Sequence, residues 1–230
     1  MIGRHELKFL CTDQQLALIE TNLSMIAQRD LHTGDGGTYR VSSLYFDDYG
    51  DTCLRDNEAG NPCRSKYRAR YYGDDLGTLH LEKKVRRYGI GYKYSCPLTP
   101  DQLECFFTGR SECLLYDTPP LLQELAVAAQ TRLMRPKVTV RYERTPFVCY
   151  AGNVRITLDR AICGARDLEG FLTGDEQPYP VQDAGQELLE VKFDTLLPGE
   201  LRQAVYLDSL RQTSFSKYQL CRQVLGRTGG

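Results

Sequence analysis

Residues 65–72 place Lys66, Arg68 and Arg70 at every second position, with Tyr67, Ala69 and Tyr71 between them. Period-two alternation belongs to a β-strand, because successive side chains leave the pleat on opposite faces. The segment is therefore a strand with one cationic face and one apolar face. The pattern recurs along the chain. Residues 4–10 set Arg4, Glu6 and Lys8 against His5, Leu7 and Phe9. Residues 78–85 set His80, Glu82 and Lys84 against Leu79, Leu81 and Lys83. Residues 153–159 set Arg155, Thr157 and Asp159 against Val154, Ile156 and Leu158, and 188–193 set Glu190 and Lys192 against Leu189, Val191 and Phe193. Aromatic and β-branched content adds a strand over 39–47, and 89–96 and 136–144 also read as extended.

Helices fall between and after these strands. Thr12 and Gln15 form a capping box, followed by a stripe of Leu16, Ile19, Leu23 and Ile26. Thr99-Pro100-Asp101-Gln102 opens a short helix that Gly109 closes. Residues 120–132, 201–210 and 217–225 read as further helices, while 32–38 and 168–186 read as loops. About eight strands with interspersed helices make an α+β chain dominated by antiparallel pairing, in one domain over 1–230.

The charge is concentrated, not global. The 230 residues carry 29 Lys+Arg against 30 Asp+Glu, so the chain does not coat nucleic acid by bulk charge. No apolar run approaches the roughly 18 residues of a membrane span, and the start, Met1-Ile2-Gly3-Arg4, has no apolar signal region. The nine cysteines include no pair at the two- or three-residue spacing of zinc ligands. They read as reduced structural thiols of a cytoplasmic chain, at most peripheral at the inner face of the membrane. No phosphate-loop lysine motif is present, and Gly89-Ile90-Gly91 lacks the third glycine of a dinucleotide fingerprint. His5, His32 and His80 are scattered; His5 falls on an apolar face, and His80 shares a face with Glu82 and Lys84.

The polar faces of separate strands carry Lys8, Lys66, Arg68, Arg70, Lys84 and Arg155, with fewer acids. Like charges opposite one another across a ladder are destabilising, so such a sheet needs either bulk water or a polyanion. Two architectures satisfy this. One is a solvated sheet face. The other is a closed, mainly antiparallel β-barrel, charged faces inward and helices packed outside. About eight strands leave room inside for side chains or one small ligand, and a lumen of Arg and Lys suits a chain of phosphates.

Eight short motifs occur in order: Glu6-Leu7-Lys8-Phe9, Ser43-Leu44-Tyr45-Phe46-Asp47, Lys66-Tyr67-Arg68-Ala69-Arg70, Leu81-Glu82-Lys83-Lys84, Arg141-Tyr142-Glu143-Arg144-Thr145, Val154-Arg155-Ile156-Thr157-Leu158-Asp159, Leu189-Glu190-Val191-Lys192 and Phe215-Ser216-Lys217-Tyr218. Together they resemble the polyphosphate polymerase domain of the vacuolar transporter chaperone (VTC) family, one of the triphosphate tunnel metalloenzymes. The resemblance implies a tunnel that threads polyphosphate and binds ATP with a divalent metal, Mn²⁺ or Mg²⁺. By motif, Lys8, Lys66, Arg68, Arg70, Lys84, Arg144, Arg155 and Lys217 would contact phosphate, and Lys93, in the strand after the Glu82 segment, resembles a further tunnel lysine. Tyr142 and Ser216 would stand near the reacting groups, and Glu190 with Glu6 would hold the metal. The hydrolytic relatives carry a glutamate where this chain has Arg4. A hydrolase must activate water, whereas a polymerase uses a phosphate oxyanion that is already ionised. Arg4 therefore favours an ATP-dependent polymerase over the alternatives, a triphosphatase or nucleotide hydrolase of the same class, or a non-catalytic polyphosphate-binding module. Eukaryotic members add a regulatory SPX domain and membrane spans; without them, export or anchoring would require a separate membrane protein.

Overall fold

The computed structural model describes residues 4–30, 33 and 36–227. Met1, Ile2 and Gly3, and His32, Gly34 and Asp35 of the expected 32–38 loop, lie outside the described residues. Ten strands and seven α-helices are present among the described residues. The strands are β1 (His5–Thr12), β2 (Gln28–Arg29), β3 (Tyr39–Asp47), β4 (Cys63–Tyr72), β5 (Asp75–Arg87), β6 (Ile90–Pro97), β7 (Arg135–Cys149), β8 (Val154–Ala165), β9 (Tyr179–Pro180) and β10 (Gln186–Phe193). The helices are α1 (Asp13–Ile26), α2 (Thr52–Glu58), α3 (Pro100–Phe107), α4 (Pro120–Arg132), α5 (Gly170–Thr173), α6 (Gly199–Ala204) and α7 (Lys217–Arg227).

The described residues group into two compact units. The first holds residues up to Arg40, Tyr142–Ile162 and Gln182–Phe215; the second holds Val41–Arg141, Cys163–Val181 and the residues from Ser216 on. In the first unit the strand order is β1-β10-β8-β7, and in the second it is β7-β3-β4-β5-β6. The pairings β1–β10, β10–β8, β3–β4, β4–β5 and β5–β6 are antiparallel. The hydrogen-bonded order ends at β1 and β6, and no ladder joins those two among the described residues. The architecture is thus α+β around a large antiparallel sheet, without the barrel closure by backbone hydrogen bonds that the sequence suggested.

Each unit has its own core, built from the apolar faces that the alternation marks. In the first, Phe9, Ile156, Leu158, Leu189 and Val191 pack with Leu16, Ile19 and Leu23 of α1 and Leu201 of α6. In the second, Leu44, Phe46, Tyr67, Ala69, Leu79 and Leu81 pack with Leu103 and Phe106 of α3 and Leu122 and Leu125 of α4. Complete burial of one such side chain contributes roughly 1.5–3 kcal/mol. Helices α1 and α3 start where the capping boxes place them, with Thr12 accepting from the Gln15 amide and Thr99 from the Gln102 amide.

Three expectations change. Ile26 is half exposed at the end of α1 instead of buried, because the helix ends there and Ala27 turns to extended backbone. The expected 201–210 helix stops at Ala204, and Tyr206 takes a positive φ of 48° that a helix cannot continue through. The 168–186 loop contains the one-turn helix α5 and the two-residue strand β9, which pairs with Cys163 and Gly164 of β8.

Candidate functional site

In the second unit the antiparallel register stacks the cationic positions in rows. Arg70 lies between Ser43 and His80, Arg68 between Tyr45 and Glu82, and Lys66 opposite Lys84, which in turn faces Lys93. Three lysines thus occupy one row, the arrangement a ladder disfavours unless something neutralises it. The centre of the face is not open to bulk water, although Lys93 at its β6 edge is exposed: Arg70 is 6% exposed and Glu82 is 3% exposed, and Lys66, Arg68 and Lys84 are half-buried. A freely solvated basic sheet would show the opposite.

Glu82 is the carboxylate at the centre of these rows. Its Oε2 accepts from Arg68 Nε at 2.7 Å and lies 3.9 Å from Arg70 Nη1, while its Oε1 accepts from Lys93 Nζ at 3.0 Å. Burial acts to raise its pKa, but the charges of Arg68, Arg70 and Lys93 outweigh burial and hold the carboxyl below the usual carboxylate range. One carboxylate thus serves three cations. Tyr45 lies in the same field: Arg68 Nη1 donates to its hydroxyl at 3.0 Å. Burial raises the phenol's pKa, yet the charges of Arg68, Arg70 and Lys217 bring it below its ordinary value. Arg70 Nε donates to Ser43 Oγ at 2.8 Å.

Lys66 and Ser216 are brought together. Lys66 Nζ donates to Asn57 Oδ1 at 2.6 Å and contacts Ser216 Oγ at 3.1 Å. Ser216 precedes α7, and its hydroxyl accepts weakly from the Gln219 amide at 3.4 Å. Tyr218, one residue beyond Lys217, donates to buried Asp47 at 2.5 Å, which anchors the start of α7.

In the first unit the charged face is mixed in sign. Glu6 stands opposite Lys192, Lys8 opposite Glu190, Glu190 opposite Thr157 and Lys192 opposite Arg155. Lys8 Nζ lies 3.1 Å from Glu6 and 3.6 Å from Glu190, and it donates to the Phe215 carbonyl at 2.9 Å. Glu190 also touches Lys192. Arg155 pairs with Asp30 at 2.9 Å and donates to the Tyr39 hydroxyl at 3.2 Å. Arg144 is buried, with its fork filled: Nε and Nη2 donate to the two oxygens of Asp159, both at 2.7 Å. Burial opposes the Arg144 charge, and Asp159 more than restores it. Its guanidinium sits over the Tyr142 ring, 5.1 Å from the centroid.

The metal implied by the resemblance can be tested against these donors. Glu6 and Glu190 supply hard oxygen ligands that converge on one ammonium group, which suits Mg²⁺ or Mn²⁺. Among the described residues no cluster of three or more His, Cys, Asp or Glu forms a metal-ligand set. Magnesium is commonly held by one or two carboxylates with water and substrate phosphates, so a two-carboxylate set fits.

The motifs contain every cation described above except Lys93, but do not mark Tyr45, Ser43, Glu82 and Asp159 as participants. All four lie inside quoted motifs, and the period-two parity puts them on the charged faces; the sequence lacks the register that sets each beside its partner. The nine cysteines are all free thiols, with Cys11, Cys53, Cys96 and Cys221 buried. His5 stacks on Phe193 at 5.2 Å, and His80 Nδ1 lies 2.6 Å from the Thr78 carbonyl.

Comparison with known proteins gives the fold and the family. In fold, the chain is similar to the PH1819 protein of Pyrococcus horikoshii OT3, with a TM-score of 0.50 and 11% identity over 97% of this chain and 99% of that one. It is similarly close to the PH1012 protein of the same organism, with a TM-score of 0.50 and 13% identity over 94% and 98%. No curated protein sequence matches. The VTC domain family matches residues 3–226, nearly the whole length, and the chain belongs to that family.

Proposed function

We propose that the chain is an ATP-dependent polyphosphate polymerase, acting as one domain whose strands enclose the phosphates in a tunnel. The observation that carries this is the cation-rich face of β4, β5 and β6, where Arg68, Arg70 and Lys93 converge on the buried carboxylate of Glu82 and Lys66, Lys84 and Lys93 line up in the next row. Guanidinium forks and ammonium groups gathered on one face match the oxygens of a polyanion.

Phosphoryl transfer asks the protein for positioning and charge neutralisation more than for covalent chemistry. Arg68, Arg70 and Lys84 hold the β- and γ-phosphate oxygens of ATP. Lys8, Lys66, Lys93, Ser216 and Lys217 hold the polymer so that its terminal oxyanion faces the γ-phosphorus. The new P–O bond forms as the bond to the β,γ-bridging oxygen breaks, and ADP leaves. Arg155 and Arg144, with Tyr142 beneath the latter, stabilise charge on the transferring group. Mn²⁺ or Mg²⁺ on Glu190 and Glu6, when bound, supplies Lewis-acid neutralisation of phosphate charge. No general base is required for an oxyanion nucleophile. Where the hydrolytic relatives place a glutamate, Arg4 is engaged by Asp194 at 3.0 Å, which supports transfer over hydrolysis. Among the described residues no helix is long and apolar enough to cross a membrane.

Incubation with ATP and Mn²⁺ tests the proposal. Long polymer with stoichiometric ADP is expected. Free phosphate without polymer would make the chain a hydrolase, and tight polyphosphate binding with no turnover would make it a passive binding module.

A further inference from the structure

The cationic face of β4 and β5 does not end at the lysine row. One row nearer the β5–β6 turn, Arg64 stands directly opposite Arg86. Parity places Arg64 on the same face as Lys66, Arg68 and Arg70, and Arg86 on the same face as Lys84 and Glu82. The next position in the row, on β6, is Gly91. A side-chain carbon built there would meet nothing within 4 Å. The row therefore consists of two guanidinium groups beside open space.

Counter-charge is scarce here. Arg64 is half-buried, and its Nη1 donates to the Asn61 carbonyl at 2.5 Å. Burial and the neighbouring Arg86 charge both lower the Arg64 pKa, with the Asp56 charge acting against them. Arg86 is exposed. Facing like charges is unfavourable across a ladder, and two planar forks side by side match the oxygens of phosphates.

We propose that Arg64 and Arg86 form an outer phosphate subsite that grips a polyphosphate chain beyond the reacting end. This rests on the polymerase reading above, which supplies the ligand. Arg70 and Arg64 are six residues apart on one strand, about 20 Å. A short ligand such as tripolyphosphate engages the inner rows alone, whereas a long chain reaches both. The subsite therefore acts on chain-length preference, separately from ATP.

The test compares wild type with the double variant Arg64→Gln/Arg86→Gln, titrated calorimetrically with tripolyphosphate and with long-chain polyphosphate at several salt concentrations. The double variant should bind the long chain about tenfold or more weakly, the loss expected for charge-assisted contacts, with a shallower salt dependence. Its tripolyphosphate affinity should stay near wild type. Arg64→Lys/Arg86→Lys should recover part of the long-chain affinity, which separates lost charge from lost folding. Undiminished long-chain binding by the double variant overturns the subsite alone. Equal losses for short and long ligands also overturn it, because the pair then acts only through the general field. A wild-type protein that binds no long-chain polyphosphate removes the polymerase reading and the subsite together.

Discussion

Replacing Glu82 by Gln should make the protein less stable and its anion affinity greater. Glu82 has a side chain only 4% exposed and accepts from Arg68 at 2.7 Å and Lys93 at 3.0 Å, with Arg70 at 3.9 Å. Gln keeps the shape and one acceptor but removes the negative charge that Arg68, Arg70 and Lys93 share. Breaking a buried ion pair by removing one partner costs about 3–5 kcal/mol. Lys93 is more than half exposed and contributes little, so the lower end, about 3 kcal/mol, is expected. For a domain of this size that is a fall in Tm of roughly 6–12 °C. The pH dependence has a definite sign. The folded carboxyl is held below its ordinary value, so its contribution is present above the unfolded pKa of about 4.3 and is lost as pH falls below that through the folded value. Wild-type stability should drop in this acid window, and Glu82→Gln should flatten that part of the profile. Calorimetric melts from neutral pH down to acid, with and without tripolyphosphate, measure both effects. The anion should restore more stability to Glu82→Gln than it adds to wild type. A variant within about 1 kcal/mol of wild type, with no stronger anion response, would refute the counter-charge assigned to Glu82.

Further outcomes can be measured. Arg70→Ala should reduce ATP-dependent chain growth by about a hundredfold or more, near 3 kcal/mol of transition-state stabilisation; full activity in a polymer-formation assay would contradict its assignment. Thr99→Ala removes the capping acceptor for the Gln102 amide and should cost about 1 kcal/mol in urea denaturation. Gly152→Ala should be more damaging, because the glycine has a φ of 75° and a Cβ there would lie 2.4 Å from the Leu196 carbonyl oxygen; a stability equal to wild type would show that this segment relaxes freely. Alkylation at mildly alkaline pH, followed by peptide mass spectrometry, should label exposed Cys63 and Cys113 well before Cys11 and Cys221. Burial pushes the Cys11 thiol up to about 11 and the Cys221 thiol up to about 12, leaving little thiolate at either.

The elements that could be read in advance are those whose cause is local. Strand β3 and helix α4 coincide with the expected 39–47 and 120–132 because β-branched and aromatic content, or proline at the helix start, acts within a few residues. The capping boxes at Thr12 and Thr99 are complete within four residues. Helix α2 had no such signal. Its N-cap, Asp51, makes no side-chain cap bond. Instead Asp47, at the end of β3, accepts from the Cys53 and Leu54 amides, supplying the missing partner from a neighbouring element. The extension of β7 to Cys149 and β8 to Ala165 likewise follows from pairing, which lengthens a strand past the point where composition favours it.

The same division runs through the site. Alternation alone determined which side chains share a face within each strand, since a strand's pleat has a strict period of two, and it therefore placed Lys66, Arg68 and Arg70 on one face of β4 and Glu82 with Lys84 on one face of β5. Only the folded arrangement decided what each cation meets. Register put Glu82 beside Arg68, aligned Lys66, Lys84 and Lys93 in one row, and filled the Arg144 fork with Asp159. A strand slipped by two residues would keep every face and change every partner. The energy that selects one register comes from cores and turns distant in sequence, which no single stretch of residues encodes.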